Sequence, residues 1–136
     1  STFLHMFTLT QIHDTHAKVK SGADFPQYIQ DLKDLWVKSY TIFVSDGHAE
    51  YHGDDNYTVT SPVTYESLEI STTTDKEWFV ANLKLHQQWG SDYITFCQHA
   101  AQAGISKRVI EMKDMTCTYY DTDDNKVLVE TIPSIQ

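Results

Sequence analysis

The stretch VSDGHAEYHGDD, residues 44–55, carries the side chains of this sequence that best suit metal or acid–base chemistry. His48, Glu50 and His52 stand at alternate positions between two turn signals. Two imidazoles and a carboxylate can bind zinc or non-haem iron, because these metals accept nitrogen and oxygen donors together. The same groups can act as general acid and base, with Asp46 as a further carboxylate.

The spacing of these residues limits what they can hold. Alternate positions place the three side chains on one side of a β-strand. At ~3.3 Å per residue, His48 and His52 are about 13 Å apart, too far for all three to grip one ion without a bulge. Adjacent pairs can still bind a metal. We therefore expect solvated strand residues or a polar interface, with a metal or acid–base site at His48, Glu50 and His52 as the alternative.

Short β-rich runs surround this stretch. Asp46-Gly47 predicts a two-residue turn between two strands, since glycine tolerates the positive φ that such turns require. An acidic turn then leads to a third run, so the segment reads as an antiparallel meander. A second meander is predicted near the end of the chain. The predicted strands are SYTIFV (39–44), HAEYH (48–52), YTVTS (57–61), KRVIEM (107–112), TCTYY (116–120) and KVLVETI (126–132).

The two meanders belong to a longer internal similarity. Sliding the sequence by 68 positions aligns residues 22–59 with 90–127, and about two identities are expected by chance. The alignment predicts a register in which Ala49 and Tyr51, like Cys117 and Tyr119, face the interior. Eight positions are identical: Gly22/Gly90, Asp24/Asp92, Gln30/Gln98, Ile42/Ile110, Asp46/Asp114, Tyr51/Tyr119, Asp55/Asp123 and Val59/Val127.

Two helices are predicted ahead of each meander. Thr8 with Gln11, and Thr74 with Glu77, have the spacing of a capping box, and Asp24 can cap the helix that follows it. The fold class is therefore α+β: two helix-helix-β-meander repeats, at about 8–62 and 74–132, with four helices packed on one face of an antiparallel sheet. We expect a single domain over 6–133, an N-terminal extension at 1–5 and an additional strand near 66–70.

Composition excludes several classes of protein. The formal charge is −9, from 19 acidic and 10 basic residues, so the average field repels nucleic acids and anionic membranes. No apolar run approaches the ~20 residues that a membrane-spanning helix needs. Cys97 and Cys117 are too few for a disulfide framework and are expected to be buried, reduced thiols. We expect a soluble, cytoplasmic protein with no cofactor.

The sequence also resembles a known family. The segments KVKSGADFPQYIQDLKDL, FVSDGH, TVTSP, SDYITFCQHAA and MTCTYYD are similar to those of the YbcV-like bacterial and prophage proteins of unknown function, some of which are labelled phage envelope protein. The resemblance covers nearly everything from Met6 to Pro133. It implies a small α/β domain, and it implies no activity, cofactor or catalytic residue.

Three functional hypotheses follow. The first is a noncatalytic binding or interaction module, whose exposed sheet face, with Tyr57 and Tyr120, pairs with a second copy to form a homodimer. The second is a metal-dependent or acid–base enzyme that uses His48, Glu50 and His52. The third is small-molecule binding in a cleft between the two repeats.

Overall fold

The computed structural model describes residues 6–20, 22–89 and 92–135; the predicted extension at 1–5 lies outside them. The α-helices are α1 (Leu9–His16), α2 (Phe25–Asp34), α3 (Lys76–Trp89) and α4 (Tyr93–Gln102). The strands are β1 (Ser39–Phe43), β2 (Ala49–His52), β3 (Thr58–Thr60), β4 (Lys107–Glu111), β5 (Thr116–Tyr120) and β6 (Lys126–Thr131). The predicted α+β class is confirmed.

All strand pairs are antiparallel, and they form one sheet in the order β3-β2-β1-β4-β5-β6. The two meanders meet at the centre, where Thr41 lies opposite Val109. These two residues are also equivalent in the 68-residue alignment. The common origin of the two halves remains a prediction, but each meander occupies one half of the sheet.

The helices cover one face of this sheet, here called the inner face. Side chains from all four helices join one hydrophobic cluster with the inner residues of the strands. Tyr28 of α2 packs edge-on against Tyr40 at 6.5 Å between ring centroids, and Phe79 of α3 packs against Tyr119 at 5.0 Å. The opposite, outer face carries no helix among the residues that the structure describes.

The chain between β3 and α3 does not form the predicted strand near 66–70. Its backbone bonds to other elements instead: the Leu68 amide donates to the Ser45 carbonyl at 2.7 Å, and the Ser71 amide donates to the Ala101 carbonyl at 2.9 Å. These two contacts tie the segment to the β1–β2 turn and to α4. Local β-propensity was therefore overridden by hydrogen bonding to more distant parts of the fold.

Helix starts were predicted with mixed success. The capping box of α1 is confirmed, because the Gln11 amide donates to Thr8 Oγ1 and the Thr8 amide donates to Gln11 Oε1. The box predicted from Thr74 is wrong by one residue. Asp75 caps α3 instead, since its Oδ1 accepts a hydrogen bond from the Trp78 amide at 3.1 Å.

The turn between β1 and β2 is longer than predicted. The Phe43 amide donates to the His48 carbonyl, which leaves residues 44–47 as a four-residue turn. Gly47 takes the positive φ of +75° that the prediction assigned to this glycine. An added Cβ there would lie 2.0 Å from Thr64 Oγ1, so the turn is packed as well as bent.

Candidate functional site

His48, Glu50 and His52 lie on the outer side of the sheet, as the predicted register requires. Ala49 and Tyr51, which alternate with them, are buried at 4% and 8% exposure. The three polar side chains keep 26%, 38% and 37% of their surface, respectively. The hairpin therefore presents these groups to solvent.

The structure divides this hairpin into two separate pairs. His48 Nδ1 lies 2.5 Å from Asp46 Oδ1, which also accepts the His48 backbone amide at 3.0 Å. The His48 ring stacks on Phe43 with 4.3 Å between centroids. His52 Nε2 lies 3.9 Å from Glu50 Oε1 and forms the second pair.

Neither pair makes a complete metal site by itself. Over the described ranges, no group of three or more His, Cys, Asp and Glu side chains is arranged to hold a metal ion. A metal or acid–base site at His48, Glu50 and His52 stays a prediction. The Asp46–His48 pair resembles the carboxylate–imidazole pairs that orient metal-bound histidines, and it would leave Nε2 as the ring atom able to bind.

A different polar cluster lies on the inner face. A small cleft opens between α4, the β3–α3 connection and the strands β1, β4 and β5. The space for the centre of a water molecule amounts to about 10 Å³, which is room for about one water. Its walls include apolar side chains from both halves of the chain, Ile42, Val44, Phe96, Ala100 and Ile105, and the polar residues Tyr65, Tyr93, Cys97, Arg108 and Tyr119.

Arg108 is the charged residue of this cleft. It lies on the inner face of β4, opposite Ile42 of β1 and Tyr119 of β5. The guanidinium interacts with the Tyr93 phenol and the Cys117 thiol. None of the ion pairs found among the described residues includes it. A cation thus stands among uncharged partners on the side of the sheet that the helices cover.

The groups around Arg108 are held in their protonated forms. Burial raises the pKa of the Tyr119 phenol and, with neighbouring Cys97, that of Tyr65. Burial likewise raises the pKa of the Cys117 thiol, although Arg108 opposes the shift. At neutral pH these side chains are neutral hydrogen-bonding groups, and none of them balances the guanidinium charge.

Two hydrogen bonds fix the walls of the cleft. The Tyr65 hydroxyl donates to the Val44 carbonyl at 2.5 Å, which holds the β3–α3 connection against β1. The Tyr119 hydroxyl donates to Glu130 Oε1 at 3.1 Å. Tyr93 differs from both, because it is the first residue of α4 and 45% of its surface is exposed. Tyr93 therefore forms the solvent side of the cleft.

Arg108, Tyr65 and Tyr93 were not predicted as site residues from the sequence. A signal was present for Arg108: it alternates with Ile110, an inward position of the predicted register, and an arginine there is unusual. The 68-residue alignment pairs it with Tyr40, another inward residue. No periodic pattern in the β3–α3 connection could have placed Tyr65, because that segment has no regular structure.

The fold and the cleft define a class of protein: a small α+β domain with helices on one face of a six-stranded antiparallel sheet and one arginine-bearing cleft beneath them. The chain belongs to the family described as Protein of unknown function (DUF1398), whose family model matches residues 13–131. The curated proteins include no match to it. The YbcV-like and phage envelope labels remain predictions. No helix in the described ranges has the length and apolar character needed to span a membrane.

Proposed function

We propose that this protein is a noncatalytic binding module whose ligand site is the cleft around Arg108. The observation that carries the proposal is the convergence of five polar residues on one cleft whose remaining walls are apolar: Arg108, Tyr65, Tyr93, Cys97 and Tyr119. Small-molecule sites are generally built in this way. The cleft is lined from both halves of the chain, as the hypothesis of a site between the repeats requires.

Binding is favoured over catalysis by the protonation states of the lining groups. Cys117 interacts with Arg108 but does not line the cleft; burial keeps it in the thiol form, whereas the reactive form of a cysteine is the thiolate. The phenols are likewise held as neutral donors and acceptors. Such groups orient a ligand without attacking it. We also propose a bacterial or prophage origin. We further propose a cytoplasmic location, which is supported by the free, buried thiols Cys97 and Cys117.

A fragment screen by protein-observed NMR tests this function. Binders should shift the amide resonances of residues around Tyr65, Tyr93 and Arg108 before those of the outer face. Ala100→Val narrows the cleft and should weaken the binders. Ala101→Val is the matched control, because Ala101 is equally buried but does not line the cleft. Binders that perturb only the His48–His52 hairpin would refute the assignment.

A second candidate function is self-association through the outer face. Lys107 and Glu111 both project from this face at opposite ends of β4. Two copies stacked about a two-fold axis near Val109, with strands antiparallel, would bring each Lys107 opposite Glu111 of the partner subunit. A homodimer of this kind is the commonest oligomer. We leave Tyr57 out of this proposed surface, because its hydroxyl donates to the Phe7 carbonyl and its ring packs edge-on against Phe7.

Sedimentation analysis over a range of concentrations tests the homodimer. Lys107→Glu should dissociate the dimer by placing like charges opposite each other, and the added change Glu111→Lys should restore it. A wild-type chain that remains monomeric at the highest concentration would exclude this interface.

A further inference from the structure

We propose that the cleft takes the carboxylate of a small organic acid, with Arg108 as the anchor and Tyr93 as the group that the carboxylate displaces. This inference rests on the proposed binding function and adds the chemical class of the ligand. It depends on three features of the described residues: an unbalanced charge, a matching geometry and an apolar wall.

The positive charge of Arg108 has no carboxylate paired with it among the described residues. Removing a cation even partly from water is costly unless an anion is paired with it, and Arg108 is only partly exposed. Glu130 is the carboxylate placed near this part of the inner face, and its two oxygens are within reach of Tyr119 at 3.1 Å and Gln87 at 3.5 Å. The guanidinium therefore lacks a direct counter-ion, and a ligand anion would supply one.

The geometry favours a carboxylate. A guanidinium presents parallel N–H donors that match the two oxygens of a carboxylate. In this structure Arg108 instead interacts with the single phenol oxygen of Tyr93. Nearly half of the Tyr93 surface is exposed, so its ring can turn outwards once its contacts with Arg108 and Cys97 are replaced. A carboxylate entering from solvent would then replace the neutral phenol oxygen with two oxygens that share one negative charge.

The apolar wall of the cleft determines which chemical group can follow the carboxylate of the ligand. Val44, Phe96 and Ile105 line the cleft with hydrocarbon, which suits a short apolar tail. The enclosed space holds about one water, so the tail is short and entry requires Tyr93 to move. The net charge of −9 disfavours ligands with several negative charges. A monocarboxylate with a few carbons satisfies all three conditions.

The test compares butyrate with butyramide, which has similar size but no charge, on the full chain by NMR titration. Butyrate should shift the Arg108 side-chain Nε–H resonance and the amides around Tyr93. Butyramide should bind about tenfold more weakly or worse, the change expected for losing a charged hydrogen bond. Equal binding of both in the cleft would overturn the carboxylate assignment and leave the proposed binding function standing. If neither binds, the assignment falls, while the fragment screen still judges the function separately.

Variants identify the anchor. Arg108→Met should abolish the preference for butyrate, and Arg108→Lys should weaken binding because the two-pronged contact is lost. Lys113→Met is the matched control, since it removes the same charge from an exposed residue of the β4–β5 turn that does not line the cleft and should leave binding unchanged. Tyr93→Phe removes the competing phenol oxygen at a half-exposed position and should tighten butyrate binding severalfold, which keeps the proposal testable if the Arg108 variants fail to fold. Unchanged butyrate binding in a folded Arg108→Met chain would refute the proposal.

Discussion

Trp36 and Gly104 adopt the same left-handed backbone at the ends of helices α2 and α4, which the 68-residue alignment pairs, with φ values of +73° and +86°. In each case the next residue closes the helix: the Val37 amide donates to the Leu32 carbonyl, and the Ile105 amide donates to the Ala100 carbonyl. Glycine is the usual residue at this position because it has no Cβ to clash. The same left-handed helix end is therefore formed by tryptophan in one half of the chain and by glycine in the other.

Gly104→Ala should destabilise the fold by about 2 kcal/mol or more, from left-handed strain and steric overlap together. A Cβ at this position would lie 2.7 Å from the Thr73 carbonyl oxygen and 3.0 Å from Thr74 Cα, both backbone atoms that cannot easily move. Urea unfolding measures the change, and Ala103→Gly in the same turn controls for altering chain flexibility. If Gly104→Ala lowers the free energy of unfolding by less than an ordinary surface substitution does, the close packing of Thr73 and Thr74 against Gly104 is contradicted.

Trp36 adopts a backbone conformation in which glycine should be more stable than alanine. Trp36→Gly should be about 1 kcal/mol more stable than Trp36→Ala, because only the alanine keeps the strain of a Cβ at positive φ. Both variants remove the same indole contacts, including the 5.8 Å approach of Lys38 Nζ to the ring. The comparison therefore isolates the backbone contribution to the free energy of unfolding. Equal stability of the two variants would show that the turn relaxes away from left-handed geometry.

The start of α3 offers a third test. Asp75→Ala should cost about 1 kcal/mol, since it removes the side-chain acceptor of the Trp78 amide. Thr74→Ala, one residue earlier, should cost much less, because Asp75 rather than Thr74 accepts this first-turn hydrogen bond. Thermal and urea unfolding of both variants decide between the two caps. A larger loss of stability in Thr74→Ala than in Asp75→Ala would support the predicted capping box of Thr74 and Glu77.

Much of the sheet could be predicted because its strands obey local rules. Alternation of buried and exposed residues fixed the side on which Ala49 and Tyr51 lie, and TCTYY at 116–120 matches β5 at both ends. Errors arose where distant contacts decide the structure. The segment near 66–70 had strand-like residues, yet its amides bond to Ser45 and Ala101.

The candidate site was even harder to predict from the sequence than the sheet, because it too depends on contacts between distant residues. The hairpin was conspicuous because histidine and glutamate alternate within five residues, whereas the cleft gathers Tyr65, Tyr93 and Arg108 from separate elements. No spacing rule connects those three positions. Only the antiparallel pairing of β4 with β1 and β5, and the course of the β3–α3 connection, brings them together.

Acid should weaken the β1–β2 turn through Asp46. The hydrogen bonds donated by the His48 side chain and backbone hold the pKa of Asp46 below its ordinary value of 3.8. A carboxyl with a lowered folded-state pKa stabilises the fold above its ordinary value, and this contribution disappears as the pH falls through the folded-state pKa.

Asp46→Asn measures this contribution. The free energy of unfolding of wild type should exceed that of the variant by up to about 1 kcal/mol near pH 6. The difference should shrink as the pH falls below 3.8, the ordinary value of this carboxyl, and disappear once the folded-state carboxyl is protonated. Asp14→Asn, at an exposed position of α1, is the control for removing one negative charge elsewhere in the chain. A constant difference between wild type and Asp46→Asn across this range would mean that the ionised carboxylate is not what stabilises the turn.

Metal binding at the hairpin can be tested with protein purified without a histidine tag. We expect no stoichiometric zinc or iron by elemental analysis, because His48 pairs with Asp46 while His52 pairs with Glu50, and a two-residue pair offers too few ligands for tight binding. Added zinc should raise the melting temperature only slightly, and His52→Ala should remove most of that rise. The matched variant His99→Ala, on α4, should not affect it. One equivalent of retained metal, lost in both His48→Ala and His52→Ala, would show that the hairpin closes around an ion and would restore the enzymatic alternative.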